Sequence, residues 1–140
     1  MVVTGGQRND GAMLAEVLAD IRVPRPAGGR PRTRPSSVVA DRAYATRPVR
    51  AHLRARGIKA VIPEKIDSAA ARARKGSAGG RPPMFDAEVY KGRNVVERGF
   101  AHSKQWRGIA TRYDKLAILY RGAAVLQAVT RWLRLLGDTP

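Results

Sequence analysis

Hydrophobic positions along the chain fall into short runs and helical repeats separated by two breaks rich in Pro, Gly or Ala. Val2 and Val3 read as the tail of a strand, followed by a turn-rich connection over residues 5–11 (GGQRNDG). Met13, Leu14, Val17, Leu18 and Ile21 recur at spacings of three and four, which predicts an amphipathic helix over 12–22. Residues 37–40 form a short apolar run ending at Asp41 and are expected as a buried strand. Thr46 is placed to cap a helix over 47–56, with Pro48 in its first turn and Gly57 as its stop. Residues 58–62 read as a second strand closed by Pro63. Two longer helices are expected over 87–104 and 114–136, the second with a broad apolar face of Leu116, Leu119, Leu126, Val129, Leu133 and Leu136. Helix, strand, helix, strand in this order suits an α/β fold with some parallel pairing.

The breaks differ in character. Residues 23–35 (VPRPAGGRPRTRP) hold four prolines, two glycines and four arginines without an acid, so the basic stretch 22–36 is expected as an extended, exposed loop. It suits either a track for a DNA backbone or a solvated linker. Residues 64–83, rich in Ala, Arg, Gly and Ser, read as a low-complexity insertion.

Composition narrows the function. In 140 residues, 27 Lys and Arg against 11 Asp and Glu leave a formal charge of +16, yet 44% of positions are hydrophobic. That is too apolar for a disordered polycation and basic enough to point to a polyanionic partner. Arginine outnumbers lysine 21 to 6, which suits bidentate phosphate contacts or reflects the base composition of the coding DNA. Without cysteine, disulfide scaffolds, thiolate zinc sites and cysteine nucleophiles are excluded. The two histidines, His52 and His102, read as surface residues rather than metal ligands, and Trp106 and Trp132 as packing anchors. No signal sequence opens the chain, and arginines interrupt its most apolar stretch, so a soluble cytoplasmic protein with no membrane association is expected.

On a continuous helix over 87–104, Tyr90, Arg93, Glu97 and Lys104 would share one stripe, bordered by Val89, Val96 and Phe100 turned to the core. A carboxylate beside two cations and a phenol can serve a metal while the cations hold phosphate. Equally, the stripe is an ordinary solvated helix face, with Arg93 and Glu97 as an i, i+4 ion pair. Asp41, at the end of a strand, occupies a position where ligand sites gather in α/β sheets, and where turn residues are also common.

The run Tyr90-x2-Arg93-x3-Glu97-x6-Lys104 resembles the signature around the last acidic residue of the DDE transposases of bacterial insertion sequences. VVADRAY (38–44) resembles the segment carrying their second acid. RGIKAVIPEK (56–65), GGRPPMFD (79–86) and TRYDKLA (111–117) extend the likeness to the insertion-sequence-five family over almost the whole chain. The resemblance implies a ribonuclease H-like core in which two Asp and one Glu hold two Mg²⁺ ions for cleavage and strand transfer at transposon ends. It implies catalytic, metal-holding roles for Asp41 and Glu97, and supporting, DNA-contacting roles for Tyr90, Arg93 and Lys104. The implied partner is double-stranded DNA, within the nucleoid. Ala43 stands where the family often has Gly.

In that family the first Asp lies on a strand upstream of the GQRND turn, so it is expected to precede this sequence, and the chain is expected to be a C-terminal portion lacking the opening strands. Asp10 reads instead as a turn or helix-capping residue. Three expectations follow: a transposase second half completed by frameshifting or by a separately encoded N-terminal half, a non-catalytic DNA-binding fragment, or a decayed remnant. The expected protein partner is such an N-terminal half or a homo-oligomer. The Mg²⁺ pair is expected only where the missing Asp is supplied.

Overall fold

The computed structural model describes residues 2–4, 9–111 and 113–137. The chain divides into two compact units, residues 9–93 and a helical unit of residues 94–137 joined by residues 2–4. Residues 2–4 lie in no strand, contrary to the expectation from Val2 and Val3, and most of the GGQRNDG connection falls outside the described residues.

Residues 9–93 form a mixed α/β unit in the order α1 (Asp10–Ala19), β1 (Ser37–Val39), α2 (Arg47–Ala55), β2 (Lys59–Val61), α3 (Ile66–Arg74) and α4 (Ala87–Lys91). β1 and β2 pair in parallel, with Ser37 opposite Lys59, Val38 opposite Ala60 and Val39 opposite Val61. α2 is the crossover between them, as parallel pairing requires. Its boundaries follow local signals: Thr46 Oγ1 accepts from the Val49 N–H at 3.4 Å, and Gly57 leaves the helix at φ +63°. Val49 and Leu53 on its inner face meet Leu18 of α1, Ile58 and Ile62, and Leu14, Val38 and Ala60 pack around that cluster. Leu53, Val61 and Ile62 are fully buried. Each such aliphatic side chain contributes about 1.5–3 kcal/mol through burial.

α1 starts and ends earlier than its apolar period suggests. Asn9, not Asp10, is the cap, its Oδ1 accepting from the Gly11 N–H at 2.8 Å. At the other end, the Arg22 guanidinium donates to the carbonyls of Ala19 and Ile21. The basic loop is exposed, as its composition implies, but it is tethered. Val23 and Arg32 exchange both backbone hydrogen bonds, at 2.9 and 2.8 Å. Arg34 donates to the Arg56 carbonyl at 3.2 Å, and Arg56 to the Thr33 carbonyl at 3.3 Å. Residues 64–83 are not structureless: they hold α3 and a 3₁₀ turn, Gly76–Gly79. Alanine is the strongest helix former, and Arg72 grips Glu64 through two hydrogen bonds, at 2.8 and 3.2 Å. Gly79 closes against the Arg72 carbonyl so tightly that a Cβ there would collide with it.

The second unit holds α5 (Asn94–Lys104), α6 (Arg107–Thr111) and α7 (Ala117–Leu136). Ile109 is buried, Ser103 Oγ lies 3.2 Å from Gln127 Oε1, and the Tyr120 hydroxyl donates to the Ile109 carbonyl at 3.4 Å. The expected helix over 87–104 is broken: the N–H groups of Gly92 and Arg93 bond to the carbonyls three residues back, those of Val89 and Tyr90, which tightens and ends the turn. No helix among the described residues is long and apolar enough to cross a membrane.

Candidate functional site

Asp41 is delivered by β1. The Ala40 N–H still bonds to the Val61 carbonyl at 3.3 Å, after which the chain leaves the sheet at the carboxyl end of the strand. Asp41 Oδ1 accepts from the Ala43 N–H at 2.9 Å and caps the 3₁₀ turn Arg42–Tyr44, so the carboxylate is fixed, exposed and aimed away from the core. That bond also shows how Ala is accommodated at position 43: its N–H is what the turn uses.

Tyr44 leans back onto the core, half-buried. Burial, and after it the negative charges of Asp10 and Asp41, hold its phenol above its ordinary range. Asp10, in the first turn of α1, therefore shares an electrostatic neighbourhood with Asp41 that sequence reasoning missed. Nothing local announces it, because the two acids are 31 positions apart.

Tyr90 and Arg93 are brought together. The guanidinium carbon of Arg93 lies 5.7 Å from the centre of the Tyr90 ring, and that ring meets Phe85 at 5.2 Å with planes inclined by 59°. Such a contact orients the guanidinium over the ring. α4 is itself anchored by Asp86, whose Oδ1 accepts from the Val89 N–H at 3.1 Å while Oδ2 takes the Lys59 ammonium at 2.9 Å. The Lys59 hydrogen bond, then the Val89 N–H, hold the Asp86 carboxyl below its ordinary value. The hydrogen bond from Arg72 does the same for Glu64, reinforced by the charges of Arg72 and Arg50 and opposed by desolvation.

Glu97 and Lys104 stand exposed on α5, seven residues apart and thus about 10 Å along the helix. They do not share one continuous helix with Tyr90 and Arg93, because of the break after Lys91. Nor are Val89, Val96 and Phe100 turned into a core; all three are exposed. Asp41, Tyr90 and Arg93 belong to residues 9–93, whereas Glu97 and Lys104 belong to the helical unit, so the pairing of the two acids is a property of neither unit.

The remaining candidates divide. His102 is exposed, as expected. His52 is half-buried rather than a surface residue, and its Nε2 is closed off from solvent without a hydrogen-bond partner among the described residues. Trp132 is 65% exposed and Trp106 38%, so neither is a fully buried anchor. As a test of fit for divalent metal, no three His, Asp or Glu side chains among the described residues stand close enough to hold one. The donor set present in either unit therefore does not fit a closed metal centre.

Comparison with known proteins gives one family. The family model described as the transposase DDE domain matches residues 1–129, a span that contains Asp41, Tyr90, Arg93, Glu97 and Lys104. No curated protein and no solved structure matches the chain.

Proposed function

Because the chain belongs to the transposase DDE domain family and so has a transposition-related function, we propose that it binds the double-stranded DNA of transposon ends. The observation that carries this reading is the family match over residues 1–129, and the +16 charge supports it. Asp41 and Glu97 are the acids proposed for the cleavage and strand-transfer site. The position of Asp41 supports its role, since it closes a parallel strand and its carboxylate is held by a backbone N–H. Arg93, oriented on Tyr90, and Lys104 are proposed to hold DNA phosphates. The β1–α2–β2 crossover is compatible with a ribonuclease H-like core, which we include in the proposal along with membership of the insertion-sequence-five family.

The proposal extends to binding without autonomous cleavage. Neither unit groups three metal-ligating side chains among its described residues, so no step is derived through Mg²⁺ here. In this reading, cleavage requires a third acid beyond Asp41 and Glu97, supplied by an N-terminal transposase half.

Fluorescence anisotropy with labelled transposon-end duplex tests the binding, and a Mg²⁺-dependent nicking assay tests the chemistry. The expected result is salt-sensitive binding without nicking. Substituting Arg93→Ala or Lys104→Ala should lower the salt slope by about 1 each. Affinity that does not change with salt would overturn the binding reading. Nicking by the purified chain that is lost in Asp41→Asn would overturn the non-cleaving part alone.

A further inference from the structure

The basic loop is built as an arm. No acid occurs between Asp20 and Asp41, a stretch that carries five arginines. Three of them serve the fold: Arg22 holds the end of α1, Arg32 donates to the Arg34 carbonyl at 3.0 Å, and Arg34 donates to the Arg56 carbonyl. With the backbone pairing of Val23 and Arg32, these bonds fix the base of the loop against the end of α2. The other two, Arg25 and Arg30, are exposed, and neither side chain has a partner among the described residues. They stand on the two limbs at the same remove, each two residues beyond the bridge.

Between them the chain turns through Pro26, Ala27, Gly28 and Gly29. The Gly28 N–H donates to the Arg25 carbonyl at 2.9 Å, which leaves Pro26 at the second position of the turn, where its fixed φ is favoured. Gly28 and Gly29 follow at φ +76° and +87°, a conformation glycine adopts without cost. The tip therefore carries no side chain larger than a proline ring. No described atom outside the turn lies within 4 Å of where a Cβ on either glycine would be, so the tip is free to meet a partner.

We propose that this arm enters the minor groove of A·T-rich duplex DNA, tip toward the groove floor, with Arg25 and Arg30 along the walls. The assignment rests on the DNA-binding reading and narrows it to one groove and one base composition. Two cations on facing limbs repel one another, so the pair calls for an anionic cleft. The minor groove is only about 6 Å wide, and its potential is most negative where A·T runs narrow it further. A tip without bulk fits that slot. In the major groove, about 12 Å wide, it would leave the base edges untouched. Four residues of limb reach at most about 13 Å, enough for a groove about 7.5 Å deep. An A·T floor presents acceptors alone, which suits guanidinium and backbone N–H donors, whereas guanine raises its N2 amino group into the path.

Salt does not separate this mode from a backbone contact, because an arginine between two rows of phosphates also displaces counterions. Base composition does. Fluorescence anisotropy of the intact chain is measured with duplexes of equal length whose central run is A·T, G·C or inosine·C. Inosine lacks the N2 amino group, so its pair has the minor groove of A·T and the major groove of G·C. The A·T and inosine·C duplexes are expected to bind about tenfold more tightly than G·C. Ala27→Leu adds bulk at the tip without charge and should abolish the preference. Arg25→Lys/Arg30→Lys keeps the charge but exchanges guanidinium for a more strongly hydrated ammonium, and should weaken it. Both variants should keep the wild-type circular dichroism and salt slope. Equal binding of the three duplexes overturns the proposal and leaves DNA binding standing. Inosine·C that follows G·C overturns it in favour of the major groove, and so does a preference that either variant keeps in full, by removing it from this arm. Failure to bind any duplex would instead remove the DNA-binding reading, and this assignment with it.

Discussion

Removing Arg25 and Arg30 isolates the contribution of the basic loop to DNA binding. Both are exposed, and neither side chain has a partner among the described residues. Their neighbours are structural: Arg22 holds the end of α1, and Arg34 ties the loop to the carbonyl of Arg56. Replacing Arg25 and Arg30 by Ala therefore deletes two charges and leaves the tethers of the fold. If each neutralises one phosphate, the slope of log affinity against log salt falls by about 0.9 per residue, about 1.8 for the pair. Over a fourfold rise in salt, from about 50 to about 200 mM, that difference is roughly one decade. The affinity ratio of wild type to double variant should thus be about tenfold larger at the lower salt. Anisotropy titrations at four or five salt concentrations measure both slopes, and thermal melts check that the fold is unchanged. Parallel slopes would refute the loop as a phosphate track and leave it a solvated linker.

Other outcomes follow from the core, the turns and the charges. Leu53→Ala empties a fully buried site between α1, α2 and the sheet and should cost about 2–5 kcal/mol by urea unfolding. Gly57→Ala forces a side chain into a left-handed position and within 3.0 Å of the Arg34 guanidinium, so a loss of at least about 1–2 kcal/mol is expected by the same assay. The carboxyls of Glu64 and Asp86 have folded values held below their ordinary 4.5 and 3.8. Their contribution is therefore complete above those values and is lost as pH falls through the lowered ones. Unfolding midpoints should drop on acidification, and less steeply in Glu64→Gln/Asp86→Asn.

The parts of the fold that could be read in the sequence are those fixed by neighbours along the chain. Thr46, Pro48 and Gly57 bracket α2 because capping and left-handed exit are local events, and Val38–Asp41 announces both a strand and an acid at its end. Composition misleads over 64–83: runs of alanine look featureless, yet they are helix formers once Glu64 and Arg72 pin one end. A single Gly92 costs a helix only about 1 kcal/mol, so nothing in the spacing of Tyr90, Arg93, Glu97 and Lys104 disclosed the break that separates them. Periodicity correctly found the apolar face of α7 but cannot say what faces it, and here the polar side packs instead. The approach of Asp10 and Asp41 to Tyr44 is long-range and was invisible for that reason.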